Sequence, residues 1–291
     1  MKKNILVIGA AGNVCLEVIK VLADKNVNLR VAARSPEKAK AMDLPKCEIK
    51  SFDYLRPETF SSICEGIENM LLVSPPAHLN LHEIVGKLIE QAKLAGVKNI
   101  VNISNMGIHD EKDPMRIIET HIENWGINYT FLRPNCHMQY FNTFFRKSIL
   151  EDDLIQAPAG QAKTSFVDLR DVGEVGAHLL MQDKLKNRTY QLTGGEAFNL
   201  GNVTAILSEE LGRDISYHEI NEEDYRLLLK SEGWMDVSIN ASISVCRFVK
   251  QGLNSMVTSG INDILGRDPK TFREYVKDYI KYWQIAVEKV S

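Results

Sequence analysis

The chain has no Cys-x-x-Cys pair and no grouping of histidine, cysteine and carboxylate at metal-ligand spacing, so no metal site is expected. Its five cysteines (Cys15, Cys47, Cys64, Cys136 and Cys246) are odd in number and widely scattered, which argues against a disulfide framework and for a reducing compartment. No run approaches the roughly 18 uninterrupted apolar residues of a membrane span. A strand pattern begins directly after Met1-Lys2-Lys3, without a signal cleavage region. A soluble, cytoplasmic protein is expected. Basic excess is missing too: the formal net charge is -3, and there is no local basic patch to hold a nucleic acid. Internal repeats, low-complexity tracts and long linkers are also absent. What remains is a 291-residue chain, 44% hydrophobic and 25% charged, able to bury a sizeable core in one large or two modest domains. The expected partner is a small molecule. A homodimer is one option for the oligomeric state, which the sequence leaves open.

The first positive feature is Asn4-Ile5-Leu6-Val7-Ile8-Gly9-Ala10-Ala11-Gly12-Asn13-Val14-Cys15, an apolar run that breaks into a turn of small residues and resumes as an amphipathic stretch. It predicts a strand, a tight turn and a helix start. Glycine at 9 and 12 opens backbone torsions closed to other residues and lets the main chain approach a ligand. Free amides at a helix start favour an anion such as a pyrophosphate. The spacing is Gly-x-x-Gly-x-x-Cys, with a small thiol where a third glycine would let helix and strand pack closely. Two glycines after a strand are often only a turn. Gly9, Ala11, Gly12, Asn13 and Val14 are the candidate pyrophosphate contacts.

Apolar residues at 14, 18, 21 and 22 continue at helical spacing, and residues 29–33 read as a second strand. It runs into Arg34-Ser35-Pro36-Glu37-Lys38, where an NAD site usually carries an acidic residue for the ribose 2′-hydroxyl. A planar guanidinium suits a 2′-phosphate instead, and Lys38 adds charge, so NADP(H) is the expected cofactor. A solvated basic strand end would look the same. Strands at 47–54, 69–74 and 99–103 alternate with helices at 36–42, 57–63 and 81–95. Asp53 is placed to meet the adenine amino group, Ser74-Pro75-Pro76 offers a rigid wall for a ribose, and Ser104 follows the fifth strand. This alternation predicts an α/β, Rossmann-type doubly wound parallel sheet, which binds its ligand at the strand carboxyl ends. Gly9, Arg34, Asp53, Ser74 and Ser104 all fall there.

The order of these pieces resembles the NmrA-like group of atypical short-chain dehydrogenases over nearly the whole chain. The resemblance rests on Gly9-Ala10-Ala11-Gly12, Arg34-Ser35-Pro36-Glu37-Lys38, Phe52-Asp53 and Ala95-Gly96-Val97-Lys98-Asn99-Ile100-Val101 with Ser104. It continues through Gly126-Ile127-Asn128-Tyr129-Thr130-Phe131-Leu132-Arg133-Pro134 and Leu265-Gly266-Arg267-Asp268-Pro269-Lys270-Thr271-Phe272. It implies a dinucleotide fold, with Pro134 among the cofactor contacts. It does not name a substrate, since the relatives include quinone reductases, dye and isoflavone-type reductases, and nucleotide-sensing regulators without known turnover.

Common short-chain dehydrogenases carry Tyr-x-x-x-Lys on the helix after Ser104, beside the nicotinamide ribose. Here that helix reads Pro114-Met115-Arg116-Ile117-Ile118-Glu119-Thr120-His121; if Glu119 takes the lysine position, as its distance to Gly126 suggests, Met115 stands at the tyrosine position, and the alternative frame holds no Tyr-x-x-x-Lys either. Methionine cannot donate a proton, and ketone reduction or sugar epimerisation by a phenolic acid or base loses support. Hydride transfer to a quinone needs only nicotinamide and acceptor in contact, with a donor near the acceptor oxygen. Asn135, His137, Gln139 and Tyr140 follow Pro134 on a segment that, in relatives, turns toward the substrate. His137 is the first choice as proton donor because its ordinary pKa lies near neutrality, and Tyr140 joins it as a catalytic candidate. A lone histidine is more often structural, and Cys136 reads as a packed small residue.

Further on, 164–172 reads as a strand and a capped helix. The resemblance returns this pair to the nucleotide domain, with Asp168 and Asp171 as capping and joining residues. A strand at 189–193 follows, and the stretches 203–211, 215–220, 222–230 and 271–283 suggest a smaller, mostly helical lobe. The expected domains are 1–150, with 164–195 returning to it, and a substrate-side lobe at 196–291, with a cleft between them. The expected function is NADPH-dependent reduction of a small quinone or conjugated carbonyl. The alternative is a redox sensor that binds NADP(H) without turnover.

Overall fold

In a computed structural model, residues 2–9, 12–42, 44–73, 81–108 and 110–284 are described. In chain order they form β1 (Lys3–Ile8), α1 (Asn13–Ala23), β2 (Val27–Ala33), α2 (Pro36–Lys40), β3 (Glu48–Ser51), α3 (Phe60–Cys64), β4 (Asn69–Val73), α4 (Leu81–Leu94), β5 (Asn99–Ile103), α5 (Pro114–Asn124) and β6 (Asn128–Pro134). Then come α6 (Arg146–Glu151), β7 (Leu154–Ala157), α7 (Leu169–Leu180), β8 (Arg188–Leu192), α8 (Leu200–Leu211), β9 (Ser216–Glu219), α9 (Glu222–Ser231), α10 (Asp236–Lys250), α11 (Gly260–Leu265) and α12 (Phe272–Tyr279).

Two compact units result. The first comprises Met1–Pro134, Leu169–Leu192 and Gly260–Arg267. Its sheet has the order β3-β2-β1-β4-β5-β6-β8, and every neighbouring pair is parallel. This is the expected Rossmann-type α/β fold. Strands covered on both faces read as continuous apolar runs, and Ile5, Leu6, Val7 and Ile8 are all fully buried. Leu6, Ile8, Met70, Leu72, Ile100 and Phe131 share one core with Phe60, Ile63, Val85, Leu88, Ile89, Ile118 and Ile122 of α3, α4 and α5. Helix α7 packs tightly along α1. A Cβ on Gly173 would stand 2.5 Å from the Glu17 Cβ, and one on Gly176 would stand 3.1 Å from a Val18 methyl.

The second unit comprises Asn135–Asp168, Thr193–Ser259 and Asp268–Ser291. Its core gathers Phe141, Tyr225, Phe272, Tyr275 and Trp283. The Trp283 indole N–H donates to the Phe141 carbonyl at 3.0 Å, and the Tyr275 hydroxyl donates to Asn142 Oδ1 at 2.7 Å.

Several local expectations change. The stretch 215–220 is not helical: Ser216–Glu219 pairs in parallel with Leu154–Ala157, so the lobe holds a two-stranded sheet. Helix α10, of 15 residues, lies outside the expected stretches of this lobe. The third strand stops at Ser51, and the helix expected at 57–63 is a 3-10 turn, Pro57–Thr59, leading into α3. The stretch 164–168 forms isolated bridges, His137 with Val167 and Thr164 with Phe198, rather than a strand. The first unit ends at Pro134 rather than at 150. Asn135 already donates to Ser165 Oγ and to the Asn254 carbonyl, both at 2.8 Å in the second unit. The later return is Leu169–Leu192 together with α11, which is followed by an Arg267–Asp171 ion pair at 2.7 Å. Among the described residues no helix is long and apolar enough to cross a membrane.

The α1–α7 contact gives a direct test. Gly173→Val should destabilise the fold by about 1–3 kcal/mol or more through overpacking. Urea unfolding should show a lower midpoint with an unchanged slope.

Candidate cofactor and active site

Gly9 and Gly12 flank the junction of β1 and α1. Gly9 has φ 103°, which favours glycine, and its amide donates to the Ala32 carbonyl. Gly12 donates to the Gly9 carbonyl at 2.8 Å, and a Cβ at Gly12 would stand 3.3 Å from that oxygen. Gly12 is also the N-cap of α1, without a side-chain cap and with no acidic residue in the first turn. The first-turn amides therefore carry their positive end toward a ligand. Gly12 and Asn13 are exposed. The Val14 side chain is buried, so only its backbone belongs to this turn. Cys15 stands in for the third glycine: its thiol donates to the Ile8 carbonyl at 3.2 Å, and burial pushes its pKa up to about 12.

The other expected contacts lie at further strand ends. Arg34 is exposed and has no hydrogen bond or ion pair among the described residues; Lys38 is exposed, its amide bound to the Ser35 hydroxyl at 3.4 Å. Asp53 is half-buried and accepts from the Leu55 amide at 3.0 Å. The Ser104 amide donates to the Leu132 carbonyl at 2.8 Å, and the Pro134 carbonyl accepts from Met106 at 3.1 Å. Ala11, Ser74 and Pro75 lie outside the described residues.

Asn102 was missed in the sequence. Both of its side-chain polar atoms, and the Ser104 hydroxyl, are buried without a partner among the described residues. Asn99, at the other end of the same strand, is satisfied: it donates to Asn69 Oδ1 at 2.7 Å and to the Asp183 carbonyl at 3.0 Å. The signal available was a polar residue inside an apolar strand run. Buried orphan groups at the ligand end of a sheet fit a polar cofactor such as a dinucleotide.

On α5, Met115 is half-buried against the core, and Glu119 is fully buried. The Glu119 carboxylate accepts from Arg133 through Nε, at 3.0 Å, and through Nη2, and pairs with Arg116 at 3.3 Å.

In the second unit, Asn135 and Gln139 are structural. Gln139 is buried and donates to Asp168 Oδ1 at 2.9 Å. Cys136 accepts from Asn254 Nδ2 at 3.3 Å, and burial pushes its thiol up to about 12, which leaves it unreactive as a nucleophile. His137 is half-buried, and its ring stacks on the exposed Tyr140 with centroids 5.6 Å apart. Desolvation pushes the His137 pKa down to about 4. The case for proton donation from an ordinary histidine pKa therefore does not hold. At neutral pH the ring is uncharged and offers one N–H as a hydrogen-bond donor.

Alongside this geometry stand the similarities to known proteins. The NmrA-like family matches residues 1–276, and the chain belongs to that family. It is 28% identical to prestalk A differentiation protein A of Dictyostelium discoideum, over 95% of this chain and 92% of that protein. It is 27% identical to quinone oxidoreductase 2 of Escherichia coli, over 80% of this chain and 83% of that one. Among solved structures, triphenylmethane reductase of Citrobacter sp. complexed with NADP(H) superposes with a TM-score of 0.83 at 22% identity, covering 95% of this chain and 99% of the other.

The lowered His137 pKa has a readable consequence. The stabilising effect of keeping this ring neutral is complete above the ordinary value near 6.5 and is lost as pH falls toward about 4. The His137 ring resonances in NMR should stay constant from about pH 8 to 5.5, and His137→Phe should flatten the acid limb of stability against pH.

Proposed function

We propose that the chain is an NADPH-dependent oxidoreductase that reduces a quinone or conjugated carbonyl. The observation that carries this reading is the pairing of an anion-ready turn and an exposed Arg34 with Met115, which leaves no phenolic acid where a ketone reductase of this fold class needs one. The names of the quinone and triphenylmethane reductases support the same class. Gly9, Gly12 and Asn13 hold the pyrophosphate through backbone amides. Arg34, with Lys38 nearby, takes the 2′-phosphate, and Asp53 meets the adenine edge. Ser104 and Pro134 border the nicotinamide half. The bound nicotinamide supplies the hydride.

His137, backed by the stacked Tyr140, donates a neutral N–H hydrogen bond to the acceptor oxygen as charge gathers there. A quinone suits such a donor, because its reduced oxygens are basic enough to collect their protons from water. A second reading, an NADP(H) sensor without turnover, is favoured by the same lack of a side-chain acid at Met115 and by the neutral His137.

Cofactor choice tests the adenosine side. A charge-assisted phosphate contact contributes about 1.5–3 kcal/mol, so Arg34→Ala should weaken NADPH roughly tenfold to a hundredfold and spare NADH. Equal loss for both cofactors, by calorimetry, removes Arg34 from the role.

The reaction itself is tested by anaerobic NADPH oxidation against a panel of quinones and enones. Saturable turnover is expected, and tight NADPH binding without turnover selects the sensor. Removing one oxyanion donor costs about 10²- to 10³-fold, and His137→Phe should lower single-turnover hydride transfer by that much without changing NADPH affinity. An unaltered rate removes His137 from the acceptor site.

A further inference from the structure

We propose that Arg133 is a cofactor-binding residue: the guanidinium edge that Glu119 does not take, together with the Ser104 hydroxyl of the neighbouring strand end, binds the ribose hydroxyls of the nicotinamide half, and the buried Glu119 positions it. This rests on the dinucleotide reading above and extends it to a residue outside the set proposed there.

With the pyrophosphate at the β1–α1 turn and the adenosine over β2 and β3, the other nucleoside must run the opposite way, over β4, β5 and β6. Strands are spaced about 4.8 Å apart, so β5 and β6 lie roughly 10 and 14 Å from β1, within reach of a ribose and ring extending from the pyrophosphate.

Ile103 pairs with Leu132, which sets Ser104 opposite Arg133 at the carboxyl ends. Alternation along the strands puts Arg133 on the face of Phe131, and Asn102 and Ser104 on the face of Ile100, the face covered by α4 and α5. On this patch Ser104 is 1% exposed, and its hydroxyl lacks a partner among the described residues. Arg133 spends Nε and Nη2 on Glu119, while Nη1 has no partner among the described residues, and the side chain is 16% exposed. A purely structural arginine would be expected to satisfy that edge too. Here a fully buried carboxylate, itself flanked by Arg116, holds a guanidinium that keeps one edge unpartnered among the described residues, at the strand position opposite Ser104, whose hydroxyl is likewise unsatisfied among them. A ribose diol, which both donates and accepts, matches that pair of groups.

The test uses calorimetry with NADPH and with adenosine 2′,5′-bisphosphate, which ends before the second ribose. The variants are Arg133→Met with Glu119→Leu, which removes the buried pair as a unit and avoids leaving one charge unpaired, and Arg133→Lys. The double variant should lose about tenfold or more in NADPH affinity and keep its affinity for the bisphosphate, with partial recovery in Arg133→Lys. Unchanged NADPH affinity in the folded double variant, or equal loss for both ligands, overturns the assignment. Where the double variant fails to fold, Ser104→Ala leaves the ion pair intact and must show the same selective loss; without it the assignment falls. A parent protein that binds neither ligand overturns the dinucleotide reading itself. A parent that binds both equally well overturns only the ribose contact.

Discussion

All seven strands of the main sheet run the same way, and every crossover must therefore carry the chain back before the next strand can begin. That constraint gathers residues far apart in sequence onto one edge. Gly9, Arg34, Ser104 and Pro134 belong to four different strand ends, yet all sit at the carboxyl side of the sheet. The close contact of α7 on α1 is part of the same arrangement, because a crossover that returns late in the chain must still cover a sheet face. Glycine at 173 and 176 permits that approach.

Polar groups within the sheet divide along the same axis. At the amino ends of β4 and β5, Asn69 donates to the Leu180 carbonyl at the end of α7, and Asn99 donates to Asn69 and to the Asp183 carbonyl just after that helix. At the carboxyl end, Asn102 and Ser104 keep unsatisfied atoms among the described residues. Burying an amide without a hydrogen bond costs about 1–3 kcal/mol, so this asymmetry has a price that a polar ligand can offset. The Glu119–Arg133 pair follows the same logic: the carboxylate accepts from two arginines, and the guanidinium retains an edge without a partner among the described residues.

The second unit changes the chemistry of its candidates by burial rather than by charge. Of the four polar residues after Pro134 that attracted notice, Asn135 and Gln139 hold the chain in place. Among the described residues, His137 and Tyr140 keep side chains without a hydrogen-bond partner. Desolvation turns His137 from a group that titrates near neutrality into a neutral donor. Sequence offers no warning of that, since burial is settled only by the folded chain.

By itself the sequence determined the alternation of strand and helix, the position of the β1–α1 turn, the basic residue after β2 and the lack of a phenol at Met115. These are local facts, set by apolar periodicity, by glycine and by residue identity at a fixed spacing. It mistook 215–220 for part of a helical lobe and did not foresee α10. The strand there exists only because β7, some 60 residues earlier, supplies a parallel partner. Tertiary structure alone decided which buried polar groups are satisfied, which edge of Arg133 stays open and what pKa His137 takes. Each depends on neighbours that only folding brings into contact, and on the low dielectric that surrounds a side chain once water has been removed.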